Sequence, residues 1–179
     1  VVRNLDELEG SNTLIVSGER RGESAGRSKY NEMEIHRTNA TAKKQRLVHQ
    51  WRAVIDYSEV DVWELLRRNH INPHPCYKLG WNRCSCMMCV FSQAKHWAGI
   101  RELFPEQYNA IVQDEKKLGF TLDNKMDLES FTGNAESCVY LDDKALSQLR
   151  SGEYKPEEIY TDCWQYPAGA FHGSEGGPC

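Results

Sequence analysis

No apolar run in the 179 residues approaches the roughly 20 that a membrane-spanning helix requires. No basic segment followed by an apolar stretch opens the chain, so no secretory leader is visible. Internal repeats and low-complexity blocks are missing, which excludes solenoid and linker-like architectures. The chain is not poor in apolar residues, as a disordered one would be, since 40% of it is hydrophobic and 27% charged. A formal net charge of −4 excludes the uniformly basic surface of a duplex-binding protein. What remains is a globular chain long enough to bury a core without disulfides. The expectation is one domain, no membrane partner and a cytoplasmic location.

The charge is unevenly placed. Residues 1–83 carry 14 basic against 11 acidic side chains, and residues 84–179 carry 8 against 15. Within the first part, residues 20–52 hold 9 basic and only 3 acidic side chains. A local basic stretch in an acidic chain reads as a site for an anion or as a solvated face. Cysteine is unevenly placed too. Of the seven, Cys76, Cys84, Cys86 and Cys89 fall within 14 residues, while Cys138, Cys163 and Cys179 are scattered. An odd total and a single cluster argue against a disulfide framework and for a metal or redox site.

Thr13 to Ser17 is a short apolar run before Gly18 and reads as a buried strand. Residues 18–45 are polar and basic and read as one long loop. Neither helical nor strand period prevails over residues 46–54. Ser58-Glu-Val-Asp61 resembles a capping box, with Val60, Trp63 and Leu66 predicting an amphipathic helix over about 58–70. Pro73 and Pro75 then open a loop that carries the cysteine cluster. Ser92 is the predicted cap of a helix bearing Trp97, Ile100 and Phe104. Pro105 fits a first helical position and Gly119 a stop; a further helix is predicted over about 142–150, with Asp142 and Asp143 at its start. Residues 164–179 read as an irregular tail. One clear strand with several helices points to part of an α/β domain, because a single strand makes no sheet.

Two segments carry candidate chemistry. Gly18-Glu-Arg-Arg-Gly-Glu-Ser-Ala-Gly-Arg27 follows the strand directly, and α/β folds bind ligands beyond the carboxyl ends of strands. Arg20, Arg21 and Arg27 can fork onto sulfate or phosphate oxygens, Gly18 and Gly22 let backbone approach, Glu23 can orient an arginine and Ser24 adds a donor. The plain alternative is an exposed arginine-rich loop with a Glu–Arg pair. The second segment is Cys76-x7-Cys84-x-Cys86-x2-Cys89, four soft ligands that close a site at little entropic cost. Its uneven spacing favours an iron–sulfur cluster over zinc, with a redox pair or buried thiols as further alternatives and Cys138 as a substitute ligand. His70, His74 and His96 flank the cluster and read as hydrogen-bonding residues rather than ligands. The tryptophans read as core, Trp81 as a shield for the cysteine site.

These features, in this order, resemble the phosphoadenosine phosphosulfate (PAPS) reductase family over about residues 13–120. The strand followed by Gly18-x-Arg20-Arg21-x-Glu23-Ser24-x-x-Arg27 is similar to that family's Gly-x-Arg-x-x-Glu-Ser-x-x-Arg element. Tyr57-Ser58-Glu-Val-Asp61-Val-Trp63, Asn72-Pro-His-Pro75, Tyr77 and Gly80-Trp81 with the cysteines continue the likeness. The resemblance implies an adenine nucleotide α-hydrolase-like fold, a partial parallel sheet flanked by helices with a helix-rich C-terminal half. It implies a PAPS-reductase-like domain over residues 1–163 with an iron–sulfur loop at 76–89. It further implies a [4Fe–4S] cluster and adenylyl sulfate or an ATP-type nucleotide as ligand. A related branch, the ATP pyrophosphatase of DNA phosphorothioation, adds nucleic acid as an alternative partner; a zinc-stapled phosphate- or nucleic-acid-binding module is the non-enzymatic alternative. The family's Ser-Gly-Gly-x-Asp-Ser phosphate loop appears nowhere, and neither does the Glu-Cys-Gly-x-His element that bears the catalytic thiol in sulfate reductases. The expectation is therefore the C-terminal half of the domain, part of a larger or split enzyme. Its nucleotide-binding segment would lie on a missing part or another chain. The catalytic residue is unassigned, with Cys179 a candidate mobile thiol.

Overall fold

Asn12–Ser17 forms strand β1 in the computed structural model, which describes residues 5–171. Those residues divide into two compact units, over residues 5–62 and 63–171. In the first, β1 pairs in parallel with β3 (Leu47–Arg52), from Asn12 opposite Leu47 to Ser17 opposite Arg52. The short strand β2 (Met33–Ile35) pairs antiparallel with the other edge of β3, giving the order β1-β3-β2. The sheet is thus mixed and not wholly parallel. The segment expected as one loop over 18–45 contains β2 and a helical turn, α1 (Thr41–Lys44).

β3 was hidden in the sequence because its buried side is polar. Val48, Gln50 and Arg52 alternate inward, so two of three core-facing residues blur the hydrophobic alternation that marks a strand. Arg52 is 4% exposed. It donates to the Asn31 carbonyl at 2.8 Å and to Glu34 Oε1 at 2.6 Å, and it lies over the Tyr30 ring at 4.6 Å. On the opposite face, rows Leu14–His49–Ile35 and Val16–Trp51–Met33 run across the three strands. Leu14, Val16, Met33 and Ile35 are each more than half exposed there.

Helix α2 (Glu59–Arg68) starts as the capping box requires: Ser58 Oγ accepts from the Asp61 amide at 3.2 Å, and Asp61 Oδ2 accepts from the Ser58 amide at 2.8 Å. The second unit holds α3 (Pro75–Lys78), α4 (Ala94–Leu103), α5 (Pro105–Leu118), α6 (Leu128–Thr132) and α7 (Asp143–Ser151). Its core is Leu79, Trp97, Ile100, Leu103, Phe104, Tyr108, Val112, Leu128 and Ala145. Pro105 opens α5 and Gly119 closes it at φ +68°. Asp142 caps α7 by accepting from the Ala145 amide at 2.9 Å. Ser92 is not the cap of α4; Gln93 takes that position, and the Ser92 amide instead donates to the Cys89 carbonyl at 2.9 Å. The described part of the tail is irregular yet docked. The Gly169 amide donates to the Tyr77 carbonyl at 2.8 Å, and Trp164 Nε1 donates to the Ile71 carbonyl at 2.8 Å.

Candidate functional site

The arginine loop leaves β1 at Gly18 and folds into two tight turns, Arg21–Glu23 and Arg27–Lys29. Its three arginines do different things. Arg21 spends its guanidinium on the protein: Nε meets Asp56 Oδ1 at 2.5 Å, and Nη1 donates to the carbonyls of Ser28, at 3.2 Å, and Tyr30. Arg20 and Arg27 converge instead on Glu23, at 3.4 Å and 2.5 Å. Two guanidiniums on one carboxylate are already arranged as they would hold another oxyanion. Ser24 Oγ accepts from the Arg27 amide at 3.1 Å and fixes the second turn. A Cβ at Gly18 or Gly22 would meet nothing within 4 Å, so no neighbouring protein atom requires glycine there.

The cysteine loop begins where His74 caps α3. Its Nδ1 accepts from the Cys76 amide at 3.2 Å, and its Nε2 lies 2.9 Å from Tyr154 Oη. A backbone amide can only donate, so the neutral ring carries its proton on Nε2 and gives it to Tyr154. Burial holds the imidazole pKa below its ordinary value, which favours the neutral, ligand-competent form. Cys84 is tied back to α3 by its amide, which donates to Tyr77 Oη at 3.1 Å. Tyr77 itself stands edge-on to Trp63, with ring centroids 5.2 Å apart.

The consequence is a convergence of donors. One ligand atom each from His74, Cys76 and Cys84 lie within 4.8 Å of one another, the one such group of three among the described residues. Burial, the charge of Cys84 and a hydrogen bond with it push the Cys76 thiol far up, so without a cation the proton stays on sulfur. A soft metal would replace that proton. Beside His74 and Cys76 is a cavity of about 180 Å³, also lined by Trp81, Arg83 and Cys86. That is smaller than the roughly 300 Å³ at which drug-sized pockets begin, so it suits a metal with a small ligand and not a nucleotide.

The four cysteines of the sequence reading are therefore placed unequally. Cys76 and Cys84 join His74, Cys86 lines the cavity, and Cys89 Sγ lies 4.0 Å from Arg83 Nη2. Cys138 stays apart from the group; its carbonyl lies against Gly80, and burial raises its thiol to about 11. Cys179 lies outside the described residues. His74 is a ligand candidate that residue spacing among the cysteines does not mark, and nothing local in the sequence points to Tyr154. The available signal was His74-Pro75-Cys76, an imidazole two residues ahead of a cysteine at a helix start.

Comparison with known proteins places these segments in one family. The model of the phosphoadenosine phosphosulfate reductase domain matches residues 2–92, which include both the arginine loop and the cysteine loop. An uncharacterized 37.8 kDa protein of Escherichia phage 186 is 29% identical over 69 residues, 38% of this chain and 21% of that one. An uncharacterized protein of Methanocaldococcus jannaschii is 29% identical over 70 residues, 39% of this chain and 17% of that one. The match thus spans about a fifth of the length of these curated relatives. No solved structure matches the chain. With just over half its length matched, including the loop after β1 and the cysteine loop, the chain belongs to the phosphoadenosine phosphosulfate reductase domain family.

Proposed function

We propose that this chain is the part of a larger or split enzyme of sulfur-related nucleotide chemistry that grips the anionic end of an adenylylated sulfur compound, or of an ATP-activated substrate, and carries a soft-metal centre. The observation that supports it best is the convergence of Arg20 and Arg27 on Glu23 within the family's element after β1. In this reading the sulfate or phosphate takes Glu23's place between the two guanidiniums. The Ser24 hydroxyl supplies a further donor. Glu23 keeps the arginines aligned while no ligand is bound, and Arg21 is the staple that holds the loop closed.

The metal-binding donors favour a soft cation: two thiols, one imidazole and no carboxylate. A bound metal or iron–sulfur cluster would supply a localised positive charge and a binding point for sulfur. His74, Cys76 and Cys84 would hold it, with Tyr77 and Tyr154 fixing the ligands from behind.

Calorimetric titration of the complete assembly with adenosine 5′-phosphosulfate and with ATP tests the reading. Replacing Arg20 and Arg27 together by Ala is expected to abolish binding of the preferred nucleotide. Affinity unchanged in that double variant would remove the arginine loop from the site.

A further inference from the structure

We infer that His74, Cys76 and Cys84 form a mononuclear site for a soft divalent cation of the zinc class, separate from the Cys86–Cys89 pair, with its fourth position open to the cavity. The inference deepens the metal-centre part of the function proposed above and owes nothing to the arginine loop.

Spacing carries the nuclearity. A zinc ion holds thiolate sulfur at about 2.3 Å and imidazole nitrogen at about 2.0–2.1 Å, so two donors on one ion stand at most about 4.6 Å apart. The three donors already lie within 4.8 Å of one another, so small side-chain movements bring them onto a single ion. A multi-iron cluster would hold its thiolates farther apart, because several metal atoms and sulfides intervene. Composition points the same way, since an imidazole with two thiolates is a familiar zinc donor set. To ligate, the imidazole gives up one of its two present partners, the Cys76 amide or the Tyr154 hydroxyl.

The site is also built locally. His74 and Cys76 are two residues apart and Cys84 follows eight residues later, so closing the loop costs little entropy. His74 is fixed as the cap of α3, and Cys84 is drawn to the same helix by Tyr77. Three protein ligands with space beside them is the pattern of zinc sites that keep an exchangeable position. The space here is the 180 Å³ cavity lined by His74 and Cys76; Cys86 also lines it but is not one of the three donors that converge. Arg83 brings positive charge to its wall, and Ser85 and Ser92 bring hydroxyl groups. Those surroundings suit a small sulfur anion, hydrosulfide or a simple thiolate, as fourth ligand. Binding it is ligand addition only, with no change in oxidation state.

Cobalt(II) reports both claims. The reduced protein, titrated without oxygen, is expected to bind one cobalt with the intense visible bands of a tetrahedral sulfur-ligated ion, displaced by one zinc. His74→Asn keeps an acceptor for capping α3 but removes the soft nitrogen; it and Cys84→Ser are expected to weaken zinc on the order of 100-fold. The double variant Cys86→Ser/Cys89→Ser is expected to keep the spectrum and affinity. Adding hydrosulfide to the wild-type cobalt form is expected to shift the bands. Circular dichroism checks that each variant is folded. Loss of binding in the Cys86/Cys89 variant with retention in His74→Asn would overturn the assignment, as would a brown iron–sulfide form with no single-cobalt state. A spectrum indifferent to hydrosulfide would overturn the open position. None of these outcomes bears on nucleotide binding at the arginine loop, so the two readings fail separately.

Discussion

Gly80 is the position at which a single methyl group should do most damage to the metal centre. Its φ is +99°, where an L side chain is strained, at about 1–2 kcal/mol. A Cβ there would also stand 1.9 Å from the Cys138 carbonyl oxygen and 3.0 Å from its carbon. Backbone cannot rotate out of the way as a flexible side chain can. The chains must part by about 1 Å, which adds roughly 1–3 kcal/mol of overpacking. The two contributions together give Gly80→Ala a cost of about 2–5 kcal/mol. Gly152, at φ +66° with nothing within 4 Å, isolates the first contribution, so Gly152→Ala should cost only about 1–2 kcal/mol. The displaced segment joins α3, which carries Cys76, to the strip that carries Cys84. Gly80→Ala should therefore weaken cobalt binding as well, while Gly152→Ala leaves it unchanged. Urea unfolding and a cobalt titration of the two variants make the comparison. Equal destabilisation with equal cobalt affinity would refute the claim that the Cys138 carbonyl holds Gly80 and the loop in place.

Arg52→Ala should destabilise the first unit by about 3 kcal/mol, because it leaves Glu19 and Glu34 without their buried cation, at the low end since both retain solvent exposure. The exposed Arg37→Ala is the control, and equal melting temperatures would contradict the role given to Arg52. The carboxyl of Glu64 is held at about 2, below its ordinary 4.5, first by Arg67 and then by the Tyr166 hydroxyl. Its contribution to stability is therefore complete above pH 4.5 and lost as pH falls from 4.5 towards 2, so Glu64→Gln should flatten the acid limb of a stability profile across that window. At pH 8, alkylation followed by mass spectrometry should modify the exposed Cys84, Cys86 and Cys163 before Cys138, whose thiol burial holds near 11. Zinc should protect Cys84 and leave Cys86 as reactive as before.

Much of the helical framework was legible because its signals are local. The Ser58–Asp61 box, Pro105 at the start of α5, and Gly119 and Gly152 at φ +68° and +66° act through atoms within four residues of themselves. The arginine loop was legible as a segment but not as a division of labour. Nothing in Arg-Arg says that the second side chain is consumed by Asp56, 35 residues away, while the first shares Glu23 with Arg27. β3 was missed for a physical reason as well. Gln50 and Arg52 are buried polar side chains whose partners come from other strands and loops, so no alternation of hydrophobicity marks them.

The family, the helix starts and stops, and the density of soft ligands between residues 74 and 89 were already set at the level of sequence. These follow from residue types at short spacing, where chain geometry allows little choice. Which donors meet was decided only by tertiary structure. His74 enters the group because the cap of α3 fixes its ring, and Cys84 enters because Tyr77, set against Trp63, holds its amide. Cys86 and Cys89, whose spacing looked the more metal-like, carry no such tether to α3 among the bonds described. A ligand set is a matter of distance in space, and the side chains that fix that distance are not themselves ligands.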